Sequence, residues 1–110
     1  MKPLKIQRGE VWLVELDPTV GAEIQKTRPA VIVSPPELHD WLRTALVAPM
    51  TTGSHAAPFR IPLTFKGKRG LILPEQVRSV DKSRLIKRLG KLDPATLAQL
   101  LSVLRDTFED

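Results

Sequence analysis

Apolar and polar positions alternate in short runs along most of this chain, and the commonest period is two, the period of a half-buried strand. The run Gly9-Glu10-Val11-Trp12-Leu13-Val14-Glu15-Leu16 predicts a first strand, stopped by Asp17-Pro18-Thr19 and Gly21. Ala30-Val31-Ile32-Val33 is wholly apolar and mostly β-branched, which predicts a strand buried on both faces. Pro29 has no N–H for a ladder and is expected at that strand's first residue. Ser34 is placed to cap a helical turn over 36–41, with Pro35 at its first position. A third strand is predicted over Thr44–Met50, followed by a turn through His55. From Phe59 to Phe65, apolar Phe59, Ile61, Leu63 and Phe65 interleave with Arg60, Pro62 and Thr64, and Pro62 marks an edge. Leu71–Leu73, Gln76–Val80 and Arg84–Leu89 bring the total to five to seven short strands. The period then changes. Leu97, Leu100, Leu101, Leu104 and Phe108 follow the i, i+3, i+4, i+7, i+11 spacing of a helix face, with Asp93 as N-cap and Pro94 as first helical residue. The pattern predicts a mainly β, α+β chain. Its expected form is a small barrel or strongly curved sheet, capped by a C-terminal amphipathic helix and built as one domain over residues 1–110.

Composition narrows the chemistry. The absence of cysteine excludes a disulfide frame, a thiolate metal site and a cysteine nucleophile. With His39 and His55 as the only histidines, no metal site and no cofactor are expected. No run approaches the ~20 apolar residues of a membrane span, and Met1–Lys5 does not lead into the apolar core of a signal peptide. No membrane role is expected, and the predicted location is the cytoplasm. Charge is distributed unevenly: residues 1–55 carry six basic and six acidic side chains, whereas residues 56–110 carry eleven and six and supply the whole net +5. Ten of those cations fall between Arg60 and Lys91 against only Glu75 and Asp81, which points to a polyanionic partner. Few aromatic residues are available for base stacking, so a platform of the RNA-recognition-motif kind is not expected.

Residues suited to act on a phosphodiester lie at predicted strand ends and in loops: Glu23, Lys26, Arg28, Thr51, Thr52, His55 and Gln76. Arg28 leads into a buried strand, so its backbone is held while its guanidinium reaches outward, and a planar fork of donors suits phosphorane oxygens. Thr51 can add a hydroxyl donor. If strands 29–34 and 44–50 pair antiparallel, the start of one meets the end of the other, and Arg28 and Thr51 come together. His55 is a loop histidine with the ordinary expectation of solvation, His39 has no expected role, and Thr52 is expected to shape its turn.

As a set, these segments resemble the MazF/PemK toxins of bacterial toxin–antitoxin systems. The resemblance is carried by Gly9-Glu10-Val11-Trp12, then Asp17-Pro18-Thr19-Val20-Gly21-Ala22-Glu23, and Arg28-Pro29-Ala30-Val31-Ile32-Val33-Ser34-Pro35. Pro49-Met50-Thr51-Thr52, Gly70-Leu71-Ile72-Leu73 and Glu75-Gln76-Val77-Arg78-Ser79-Val80 follow in the family's order. It implies an SH3-like barrel related to the CcdB toxins, working as a homodimer. It also implies metal-independent, sequence-specific cleavage of single-stranded RNA (mRNA), an mRNA interferase activity leaving 2′,3′-cyclic phosphate and 5′-hydroxyl ends. By the same resemblance Arg28 and Thr51 fall on the catalytic arginine and threonine, Glu23 on an assisting glutamate, and Gln76 on the substrate groove. Lys26, Thr27, Thr52 and Arg78 join Gln76 as the expected RNA-binding set. The implied partner is a cognate antitoxin whose acidic, disordered tail folds along the toxin. The alternative is a CcdB-like gyrase poison or a non-catalytic nucleic-acid-binding barrel. Because removing a proton from an arginine at neutral pH is uphill by about 8 kcal/mol, Arg28 is expected to stabilise charge and Glu23 to accept the proton.

Overall fold

In the computed structural model, which describes residues 5–17, 20–23 and 26–109, the period-two runs become strands β1 (Glu10–Glu15), β2 (Thr27–Ile32), β3 (Thr44–Thr51) and β4 (Ile61–Phe65). They continue as β5 (Lys68–Ile72), β6 (Arg78–Asp81) and β7 (Leu85–Lys91), with helices α1 (Pro36–His39) and α2 (Pro94–Phe108). Pairing is antiparallel throughout in the order β4-β5-β3-β2-β1-β7, with β6 also on β3. Strand β3 therefore serves three neighbours: β6 along its first half, β2 in its middle and β5 at its last two residues. Two register shifts between β1 and β7 bend the sheet, as bulges do. The expected curved sheet capped by a C-terminal helix is what forms.

The sheet buries both faces. Trp12, Val14, Ala30, Ile32 and Val47 pack with Leu85 on one face, inside the curl of β7-β1-β2-β3-β6. Val11, Val31, Ala48, Met50, Ile61 and Leu100 pack on the other, under the β4–β5 hairpin and α2. Asp93 caps α2 through Thr96, whose backbone N–H donates at 3.1 Å and whose hydroxyl donates at 2.7 Å. Gly9 lets that helix approach: it has φ +92°, and a Cβ there would stand 2.8 Å from Leu97 Cδ2. The hairpin reaches across the sheet to β7, where a Cβ on Gly90 would lie 3.2 Å from Phe65 Cζ.

Several expected boundaries move. Pro29 is the third residue of β2, paired with Leu13, and is tolerated because the ladder to β3 begins only at Ala30. Gln76 ends a 3-10 turn over Pro74–Gln76 and Arg84 ends another over Lys82–Arg84, where strands were expected. Phe59 is exposed and precedes β4. Pro35 is the N-cap of α1, which stops at His39, and Ser34 does not cap it. The Ser34 hydroxyl is buried and is used instead by the core, accepting from Leu46 N–H at 3.1 Å and lying 2.6 Å from His39 Nε2. Pro18 and Thr19, expected to end the first strand, lie outside the described residues. Pro62 does sit on an edge strand.

Candidate active site

The β2–β3 register sets the geometry. Ala30 faces Pro49, Val31 faces Ala48 and Ile32 faces Val47. Each pair sums to 79, so Arg28 and Thr51 hold corresponding positions two residues beyond the last β2–β3 pair, where Met50 and Thr51 pair with β5. Side chains alternate along a strand, and Arg28 shares the parity of Ala30 and Ile32, the face inside the curl. Thr51 shares the parity of Val47 on that same face. Arg28 is half-buried and paired with Val14 of β1, while Thr51 is only 8% exposed. The Thr51 oxygen accepts the Gly53 N–H at 3.1 Å, which leaves its own O–H to donate elsewhere.

The loop between β1 and β2 opens at the same end. Its base is closed by Leu16 N–H donating to the Lys26 carbonyl at 2.9 Å and by Lys26 N–H donating to Asp17 Oδ1 at 2.9 Å. Two arginines from the far end of the sequence grip the same base. Arg78 Nη1 donates to the Leu16 carbonyl at 3.0 Å, and Arg84 Nη1 donates to the Glu15 carbonyl at 3.3 Å and to that of Asp17. Lys26 itself has φ +69°, a left-handed conformation unusual for a lysine. Glu23 lies exposed in the loop, with Oε1 accepting the Val20 N–H at 2.7 Å. Thr27 and Thr52 are exposed beside Arg28 and Thr51 in the chain, and Gln76 is half-buried two residues before Arg78. His55 lends its carbonyl to Arg60 Nη1 at 2.8 Å. Among the described residues, no three histidine, aspartate or glutamate side chains gather into a metal-holding group.

On the other side of the β3 end lies a cavity of about 350 Å³. Thr51 and Thr52 form one wall, the hairpin residues Leu63, Phe65, Lys66 and Lys68 another, and Pro29 and Leu89 lie among its remaining walls. Gly70 makes the close approach possible, since a Cβ there would sit 2.7 Å from the Thr51 carbonyl oxygen.

A family model described as a PemK-like, MazF-like toxin of type II toxin–antitoxin systems matches residues 7–108. The chain belongs to the PemK/MazF toxins. It is 38% identical to "Endoribonuclease PemK" of Escherichia coli over 105 residues, covering 90% of this chain and 79% of that protein. With "Endoribonuclease MazF9" of Mycobacterium tuberculosis it shares 33% over 111 residues, 91% and 93% of the two chains. Among solved structures, MazF of Deinococcus radiodurans superposes with a TM-score of 0.83 at 25% identity, covering 93% of this chain and 94% of that one. An endoribonuclease in complex with its cognate antitoxin from a mycobacterial species superposes at 0.77 and 19% identity over 93% of each, a likeness of fold.

In this PemK/MazF chain the basic block divides into two halves. Five of its cations are spent internally: Arg60 on Glu75 and the His55 carbonyl, Arg78 and Arg84 on the loop base, Lys82 on the His39 carbonyl, and Arg88 on Glu10. The other five, Lys66, Lys68, Arg69, Lys87 and Lys91, are exposed and make no side-chain bond with the described residues.

Sequence reasoning gave no role to Glu10 or His39. Burial alone would raise the Glu10 carboxyl. Donors from Gln7 N–H at 2.8 Å, Arg88 Nε at 2.7 Å and Trp12 Nε1 at 3.2 Å outweigh it and hold the group below its ordinary range. His39 is buried with Nδ1 3.2 Å from the Ile6 carbonyl, which can only accept. Nδ1 therefore carries the proton and Nε2 accepts the Ser34 hydroxyl. Burial holds this imidazole below its ordinary value, with Lys82 and Arg8 adding repulsion that outlasts the opposing pull of the Ile6 carbonyl and Asp40. The Gly9-Glu10-Val11-Trp12 spacing was a visible signal for the first, since Glu10 and Trp12 share a strand face.

Among the described residues, no helix is long and apolar enough to cross a membrane.

Proposed function

We propose that this protein is a metal-independent endoribonuclease that cuts single-stranded mRNA at short sequences and is neutralised by a cognate antitoxin. The observation that carries the reading is the antiparallel β2–β3 pairing, whose register, extended two residues past its last pair, aligns half-buried Arg28 with strand-end Thr51. The names of its relatives, PemK and MazF endoribonucleases, support RNA cleavage.

In the proposed step the ribose 2′-oxygen attacks phosphorus, the P–O5′ bond breaks, and a 2′,3′-cyclic phosphate and a 5′-hydroxyl result. The Arg28 fork and the Thr51 O–H donate to the non-bridging oxygens as charge builds on the phosphorane. Glu23 takes the 2′-OH proton, and O5′ takes its proton from water. Lys26, Thr27, Thr52, Gln76 and Arg78 line the path of the strand. Arg78 contributes through the loop base it grips. The working form is a cytoplasmic homodimer, and the antitoxin is one whose acidic, disordered tail competes for the cations that RNA would use. A mycobacterial endoribonuclease solved with its cognate antitoxin supports an antitoxin as partner.

Incubating the purified protein with long RNA in excess EDTA tests the reading. Cleavage with cyclic-phosphate ends, lost in Arg28→Ala and Thr51→Ala, is expected. Intact RNA would leave a gyrase poison or a passive nucleic-acid binder in its place. Normal turnover in Glu23→Gln would take Glu23 out of the proton-accepting role.

A further inference from the structure

The slot beside Thr51 has walls of unusual composition for a surface of this charge. Leu63, Phe65, Leu71 and Leu89 make it apolar, Thr51 and Thr52 supply hydroxyls, and among the described residues Lys66 and Lys68 are its only charged lining residues and no carboxylate lines it. Its volume of about 350 Å³ falls near the lower end of the roughly 300–1,000 Å³ of small-molecule sites. The two lysines belong to the exposed half of the basic block, with no internal partner among the described residues.

The hairpin tip adds an independent observation. Lys66 and Gly67 are the two loop residues between β4 and β5, with φ of +49° and +79°, the pattern of a type I′ turn. Asparagine is the favoured residue at the first position. A lysine there holds a strained backbone, and strain that the fold tolerates points to a use for the side chain. Thr51, the last residue of β3, shares the parity of Val47 inside the curl and also lines the slot, so the two sites meet there, with Thr52 beside it on the slot wall.

We propose that this slot seats one unstacked base of the RNA strand next to the cut, with Lys66 and Lys68 holding the phosphates that flank it. The proposal rests on the endoribonuclease reading above and adds to it a site that selects sequence. The apolar walls take the flat faces of the base, the Phe65 ring offers an aromatic surface, and the Thr52 hydroxyl bonds to the base edge. A phosphate at Thr51 and a base behind Thr52 are then neighbours along one strand draped over the β3 end.

The test maps cut sites of wild-type protein on long RNA, then measures binding of a non-cleavable 2′-O-methyl version of a mapped site against salt. Lys66→Asn with Lys68→Gln removes two charges while giving the turn its favoured residue. It should reduce the slope of log affinity against log salt by about 1.4, or ~0.7 for each phosphate contact. Arg43→Ala with Arg105→Ala removes the same charge and should leave the slope unchanged. Arg43 directly precedes β3, about 26 Å from Thr51 at ~3.3 Å per residue, and Arg105 lies in α2, none of whose residues lines the slot. Leu63→Trp, which fills the slot, and Thr52→Val, which keeps its shape, should each relax preference at the same single position beside the cut, by about tenfold. Unchanged slope and unchanged cut maps in variants that still cleave would overturn the proposal and leave the nuclease reading standing. Unchanged maps with weakened antitoxin binding would assign the slot to the antitoxin and overturn it equally. A wild-type protein that never cleaves would sink the nuclease reading itself.

Discussion

Gly70→Ala tests the link between packing and chemistry most directly. The added Cβ would stand 2.7 Å from the Thr51 carbonyl oxygen, whereas ordinary contact begins near 3.4 Å, so something must open by 3.4 − 2.7 = 0.7 Å. The obstacle is backbone, which has no rotamer to change. Strand β5 must therefore move away from β3 at the Thr51–Leu71 pair, or Thr51 must move. Overpacking of this kind costs roughly 1–3 kcal/mol. The larger effect is on alignment, since a displacement near 1 Å can cost about a hundredfold in rate. A fall in turnover of about tenfold to a hundredfold is expected, measured as initial rate on a fluorogenic RNA per folded molecule. Gly67→Ala is the matched control. At φ +79° with nothing within 4 Å, it carries backbone strain of about 1–2 kcal/mol but presses on no neighbour. Both variants should lose stability in urea, and only Gly70→Ala should lose rate. Wild-type turnover in Gly70→Ala, or an equal loss in Gly67→Ala, would refute the argument.

Other outcomes follow from the buried polar groups. Because the His39 imidazole is held below its ordinary value, the unfolded chain takes up that proton first. Its contribution to stability is full above about pH 6.5 and is lost as pH falls through the folded-state value. The urea midpoint should therefore drop on acidification below that point, and His39→Gln should flatten the dependence. Glu10 acts in the same direction in a lower window, its contribution being lost as pH falls from about 4.5. Glu10→Ala strands the Gln7 amide and the Trp12 indole N–H and should cost about 2–3 kcal/mol in equilibrium unfolding. Little of that comes from Arg88, which is 47% exposed. Arg84→Met releases the Glu15 and Asp17 carbonyls. It should speed hydrogen exchange at the Leu16 and Lys26 amides by about tenfold, the equivalent of one charge-assisted bond.

What the sequence disclosed was local. Asp93, Pro94 and the leucine spacing describe α2 completely, because cap, first turn and buried stripe are all set within one helix. A shared edge for Arg28 and Thr51 could be written only as a condition on strand pairing; the antiparallel pairing it required is present, over Ala30–Ile32 and Val47–Pro49. The rest depended on partners far off in sequence. Gln76 and Arg84 read as strand residues because each opens a run that carries apolar residues, yet short 3-10 turns claim both. The basic block read as one polyanion-binding surface, but Arg78 and Arg84 find carbonyls more than sixty residues away. Ser34 looked like a cap from its neighbours, and a buried histidine outbid them.

The crossing of Phe65 over Gly90 has a consequence for life at high concentration. An aromatic ring, not a ladder, spans the gap between β4 and β7, so among the described residues the outer edges of these two terminal strands have no paired strand. Such a seam invites another chain to add on and polymerise. Pro62 denies it a donor on one margin, and Lys87 and Lys91 repel a like-charged copy on the other. Some of the positive charge thus guards the molecule against its own kind.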